Sequence, residues 1–172
     1  MNAPWSDPAH DSGRLDGWGA WSDAVRALLA QAASEPASLL MFDEDYVHWP
    51  LGEKACVDAL EQWALGGRQL HCTMLATDWQ HVPRQHPRWL RWRVTWAHKL
   101  SCRALPDDEQ SALQSLRPML VLEGRLGISL LDTEHGTGIW SRAPSTLREW
   151  WQGGDAISQR SIDAMPATTL GL

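Results

Sequence analysis

Within the run Phe42-Asp43-Glu44-Asp45-Tyr46-Val47-His48, three carboxylates and an imidazole crowd together directly behind the apolar stretch Ser38-Leu39-Leu40-Met41. Side chains of these types could exchange protons as acid and base, or hold Mg²⁺ or Mn²⁺ through oxygen ligands. Asp78 stands in the matching place behind the next apolar run. Asp43, Asp45, His48 and Asp78 therefore form one candidate site, and its chemistry would be metal-assisted hydrolysis. The competing reading is structural, because Asp and Glu routinely cap turns. No spacing here matches a metal motif, so turn capping is favoured and no metal ligand is assigned. His71-Cys72 and the pair His81 and His86 likewise lack partners at zinc spacing. There is no G-x-S-x-G, P-loop or G-x-G-x-x-G, and isolated Ser and Thr are not nucleophiles without a positioned base. No catalytic residue is assigned, and no cofactor is expected.

A second group of residues is basic. Residues 79–105 contain no Asp or Glu but hold Arg84, Arg88, Arg91, Arg93, Lys99 and Arg103. The net charge of −6 is thus a +6 segment set against −12 in the rest. Trp89, Trp92 and Trp96 fall at i, i+3 and i+7 of the same stretch. Guanidinium groups beside indoles suit single-stranded nucleic acid, holding phosphates while a ring stacks on a base. A tryptophan stripe at helical period is also what the buried face of an amphipathic helix needs. The indoles are read as core. Arg84, Arg88, Arg91 and Arg93 are read as candidate ligands for an anionic partner, phosphate-bearing or acidic, nucleic acid included.

The elements that must position these groups follow from pattern. The 172 residues suffice for one domain with a real core. No apolar run approaches the ~20 residues of a membrane helix, and the first ten residues do not resemble a signal peptide, so a cytoplasmic chain without a membrane partner is expected. Cys56, Cys72 and Cys102 are odd in number and far apart, which fits buried thiols in a reducing compartment. Residues 1–20 read as a leader. A helix follows, capped by Ser22, with Val25, Leu28, Leu29 and Ala32 on one face. Strands are expected at 38–42, 68–76 and 100–105, separated by helices at 53–65 and from Pro87 to about residue 98. A polar connection, 106–116, precedes three short strands at 117–123, 126–132 and 138–142. A last helix at 145–152 is stopped by Gly153-Gly154. The fold class is α/β. A single domain, residues 21–154, holds a mixed sheet (β-α-β-α-β followed by an antiparallel meander and a helix) flanked by helices, and 155–172 read as a tail.

The run Leu116-Arg117-Pro118-Met119-Leu120-Val121-Leu122-Glu123-Gly124-Arg125-Leu126 resembles the hairpin that bears the H-x-K-x₄-D signature of the phospholipase D superfamily. The order of elements over roughly residues 36–152 is similar to that family's half-domain. In this sequence Leu116 stands at the place of the nucleophilic histidine, Pro118 at the lysine and Glu123 at the aspartate. A phosphohistidine route is then closed, and His98-Lys99 cannot replace it because adjacent helical residues point apart. The resemblance implies a non-catalytic member and, from the family's two-half arrangement, a homodimer. Three functions are carried forward: a non-catalytic domain binding an anionic partner, a metal-assisted hydrolase, and a protein-interaction or dimerisation module with exposed indoles as anchors. Twelve Trp residues make the last worth testing; Trp5, Trp18, Trp49 and Trp79 fall outside expected elements.

Overall fold

The computed structural model describes residues 2–165. Eight strands form one sheet: β1 (Ser12–Leu15), β2 (Leu39–Asp43), β3 (Cys72–Ala76), β4 (Leu100–Ala104), β5 (Met119–Leu122), β6 (Leu126–Asp132), β7 (Thr137–Ser141) and β8 (Ile162–Asp163). Their order across the sheet is β1-β7-β6-β5-β2-β3-β4-β8. β2, β3 and β4 are parallel, and every other neighbouring pair is antiparallel. The helices are α1 (Gly17–Ser34), α2 (Lys54–Leu65), α3 (Val82–Gln85), α4 (Pro87–Thr95) and α5 (Pro144–Gln159). The expected mixed α/β domain is what forms.

β2 explains the layering. All five of its residues are buried, and successive side chains of a strand point to opposite faces. Leu39 and Met41 join the core beneath α1, α2 and α4, while Leu40 and Phe42 join a second core with Leu147 and Ile157 of α5. A strand covered on both sides has no polar alternation, which is why it reads as a continuous apolar run.

Several local expectations are corrected. The segment read as a leader contributes β1, which pairs antiparallel with β7. α1 starts behind Asp16, not at Ser22, whose hydroxyl instead donates to the His48 carbonyl at 3.3 Å. The loop before Pro87 contains α3, and α4 ends at Thr95, followed by a 3₁₀ turn at Ala97–Lys99. The connection at 106–116 is largely a 3₁₀ helix, Asp107–Ser115. α5 runs through Gly153-Gly154 to Gln159, and residues 162–163 add β8 beside β4. Gly154 is a crossing point, not a stop: a Cβ there would stand 2.5 Å from Leu40 Cδ2 and 2.7 Å from Met119 Cε. Residues 166–172 of the expected tail lie outside the described residues.

The indoles are consumed by the cores. Eight are buried, and Trp18, Trp96, Trp150 and Trp151 are half-buried. Trp21, Trp49, Tyr46, Trp79 and Trp89 form a continuous aromatic chain with ring centroids 5.0–6.4 Å apart. Trp5 packs edge-on to Trp140 at 6.1 Å and donates its indole N–H to Gln31 at 3.0 Å. No described Trp is fully exposed, so an interface anchored on indoles would draw on these four half-buried rings. The three cysteines are buried and unpaired. Burial pushes the Cys56 thiol up to about 12 and Cys102 up to about 11, far from the thiolate form that reacts.

Candidate functional site

The carboxyl end of β2 opens into a cleft of about 540 Å³. Antiparallel pairing sets Phe42 beside Met119, so the approach to β5 crosses the end of β2 and brings Leu116 and Pro118 to the same place. The 3₁₀ helix at Asp107–Ser115 adds Gln110, Leu113 and Gln114, while β6 adds Leu130. Asp43, Glu44, Asp45, Val47 and His48 form the acidic side. Trp18 completes it, its ring stacked on His48 at 3.7 Å between centroids and 18° between planes. Behind that ring lies Gly136 at φ +71°; a Cβ there would stand 2.4 Å from Trp18 Cδ2.

Asp43 is 8 % exposed. Its Oδ2 accepts the Tyr46 amide at 3.0 Å, closing a turn that forces Tyr46 to φ +59°. Such a backbone costs about 1–3 kcal/mol in a non-glycine residue and must be held from outside. The Tyr46 hydroxyl donates to the Leu75 carbonyl at 2.7 Å, and the Tyr46 carbonyl accepts His86 Nε2–H at 2.9 Å. Burial holds His86 below its ordinary range, with the Tyr46 bond opposing. Burial also pushes the Asp43 carboxyl up from 3.8 to about 7; the neighbouring carboxylates of Asp45 and Glu44 add to the shift, and backbone amides of Glu44 and Tyr46 oppose it. This group titrates near neutrality.

Of the candidate acidic set, Asp43, Asp45 and His48 share the cleft. Asp78 does not line it: β2 lies between β3 and β5, and the Asp78 amide donates to Glu44 O at 2.8 Å while its carboxylate caps Gln80 at 2.8 Å. Asp45 caps Val47 at 3.0 Å. Turn capping thus describes all three aspartates. Among the described residues no group of three or more His, Cys, Asp or Glu is placed to hold a metal ion.

The arginines divide. Arg84, Arg88 and Arg91 are exposed on α3 and α4. Arg88 Nη1 reaches the Gly52 carbonyl at 3.2 Å, and none of the three has a carboxylate within ion-pair distance among the described residues. Arg93 does not belong with them. It is 6 % exposed, and its Nε–H donates to Cys102 Sγ at 3.3 Å. Lys99 is buried against the Gly67 carbonyl, and Arg103 pairs with Asp163 at 2.7 Å. Arg88 and Arg91 line a groove of about 570 Å³ with Lys54, Asp58, Glu61 and Trp92. Both acids there are engaged: Asp58 pairs with Lys54 at 2.6 Å, and Glu61 accepts the Trp96 indole N–H at 2.6 Å. Sequence reading missed Trp18, Leu113 and Leu130 in the cleft, for which no local signal exists.

No protein-family model matches the chain, and no curated protein matches it. Solved structures do share its fold. Nuc from Salmonella typhimurium, a phospholipase D family member, superposes with a TM-score of 0.55 at 9 % identity, covering 91 % of this chain and 100 % of that one. TrmBL2, an archaeal chromatin protein described as showing a novel mode of DNA binding, superposes at 0.64 with 14 % identity over 94 % of this chain. The chain spans 56 % of the length of that TrmBL2 chain. At these identities the likeness is one of fold. Among the described residues, no helix is long and apolar enough to cross a membrane.

Proposed function

We propose that the chain is a non-catalytic domain of phospholipase D-like fold that binds a phosphate-bearing polyanion through Arg84, Arg88 and Arg91. The observation that carries this reading is the acid-free stretch that leaves three exposed guanidinium groups on α3 and α4 without a carboxylate partner among the described residues. Phosphate oxygens are what such planar donors hold best. The −12 borne by the rest of the chain does not cancel this face, since exposed charges more than about 10 Å apart are screened at physiological salt. TrmBL2, described as DNA-binding, shares the fold and supports nucleic acid as the probe.

The non-catalytic half of the reading rests on the cleft. Leu116 and Pro118, which the family resemblance sets at the nucleophile and the lysine, both line it. Neither can attack phosphorus or neutralise a leaving oxygen. Glu123, set at the aspartate, follows β5 at the opposite end and bonds through its amide to Ser38 O at 3.0 Å.

Fluorescence anisotropy with labelled single- and double-stranded oligonucleotides, at several salt concentrations, tests the binding. The expected result is salt-dependent binding that R84A/R88A/R91A weakens, reducing the double-strand salt slope by roughly 2–3. No binding at low salt, or a triple variant with unchanged affinity, overturns it. Turnover of a phosphodiester substrate above background overturns the non-catalytic assignment.

A further inference from the structure

The arginine face offers guanidinium groups but no ring on which a base could stack. Trp89 and Trp92, the indoles of α4, are 0 % and 5 % exposed. Trp96, just past the end of that helix, is half-buried; its N–H is held by Glu61 at 2.6 Å, and Lys99 Nζ stands 6.0 Å over its ring. Trp79, Tyr46 and Phe42 are buried as well. The other half-buried indoles lie elsewhere: Trp18 is stacked on His48 at the cleft, and Trp150 and Trp151 of α5 pack on the second core. The indoles that alternate with the arginines in sequence are therefore withdrawn from any ligand those arginines hold.

We infer that this face holds a nucleic-acid duplex by its phosphates alone, neither stacking on bases nor reading their edges. The inference rests on the binding proposed above for Arg84, Arg88 and Arg91. Single strands are bound where aromatic rings take up successive bases beside a basic groove, and that half of the arrangement is missing among the described residues. What remains is charge, and a duplex presents one phosphate per ~1.7 Å of its axis, about twice the density of either strand. Base edges are out of reach for a separate reason. To read them, α4 would have to enter a groove of the duplex, but α2 packs beside it and sets Asp58 and Glu61 along the same cleft as Arg88 and Arg91. Phosphates flanking an inserted helix would meet those carboxylates. Arg88 is also tied back, its Nη1 bonded to the Gly52 carbonyl at 3.2 Å. Contacts to phosphates position a protein on a duplex and carry no sequence information.

Fluorescence anisotropy on the full chain tests this with a labelled DNA duplex, each of its separated strands and an abasic strand of the same length. At about 50 mM salt the duplex should bind about fivefold more tightly than either strand, with a salt slope of roughly −2.7 against −2.1 for three phosphate contacts. The abasic strand should match the base-bearing strands within about twofold, and duplexes of unrelated sequence should match one another as closely. Strands bound as tightly as the duplex, an abasic strand weaker by more than that margin, or a wider spread among duplex sequences overturns the inference and leaves binding by the arginines standing. Failure of every probe to bind at low salt overturns the binding itself, and this inference with it.

Discussion

Replacing Asp43 by asparagine keeps an oxygen for the Tyr46 amide and removes a charge that the fold has taken from water. The native carboxyl titrates at about 7 against 3.8 outside the fold. A carboxyl raised in this way stabilises the folded state only while protonated. Its contribution is full below about 4 and is lost as pH rises to about 7, a span worth about 4 kcal/mol. The stability of D43N relative to the native chain should therefore rise by that order between about pH 4 and pH 8. Urea unfolding at the two pH values reads the difference, and a flat difference would show that Asp43 is not desolvated. Asp43, Asp45 and His48 were legible as a group because they follow a buried strand, and ligands sit beyond the carboxyl ends of such strands. Arg93 was misread although the signal was present. It lies four residues after the buried Trp89, so it shares that helical face.

Strands and helices were legible where their pattern was strong. The three parallel strands and α2 fall close to expectation because apolar runs and a one-faced helix are local properties. β1 and β8 were not legible: Ser12-Gly13-Arg14-Leu15 has no alternation of its own and becomes a strand by pairing with β7. The end of α5 was hidden for a related reason. Gly153-Gly154 reads as a terminator locally, but the sheet needs a residue without Cβ where the helix crosses Leu40. β6 and β7 make the same point testable. A Cβ on Gly138 would stand 2.4 Å from the Ser129 carbonyl oxygen, a backbone atom that cannot turn away. G138A should cost about 1–3 kcal/mol in urea unfolding. Gly19, inside α1, meets nothing within 4 Å, so G19A should be neutral or stabilising by up to about 1 kcal/mol. Equal effects at the two positions would mean that the β6–β7 approach is looser than it stands here.

For the molecule as a whole, net charge is a poor guide to what any surface meets. A −6 chain presents an arginine face on α3 and α4 and, at the end of β2, a cleft whose charged lining is acidic apart from His48. The acid-free stretch was legible in sequence; the separation of the two faces was not, because it depends on Leu116 and Pro118 returning to the end of β2. The tryptophans report on both places. Trp96 is half-buried and donates its indole N–H to Glu61, which lines the groove with Arg88 and Arg91, and Trp18 is half-buried beside Asp43 and His48. With a Debye length of about 10 Å at 0.1 M salt, each indole should feel its own neighbourhood and not the molecular total. Iodide should therefore quench a fraction of the emission that R84A/R88A/R91A reduces, although that variant lowers the net charge further. Caesium should quench a different fraction, one that W18F removes and the triple variant leaves intact. Raising the salt several-fold should bring the two quenchers toward the same weak level, because eight of the twelve indoles are buried. If caesium instead outperforms iodide throughout and the triple variant changes neither, the net −6 governs the surface, and the arginine face has no local field with which to hold an anion.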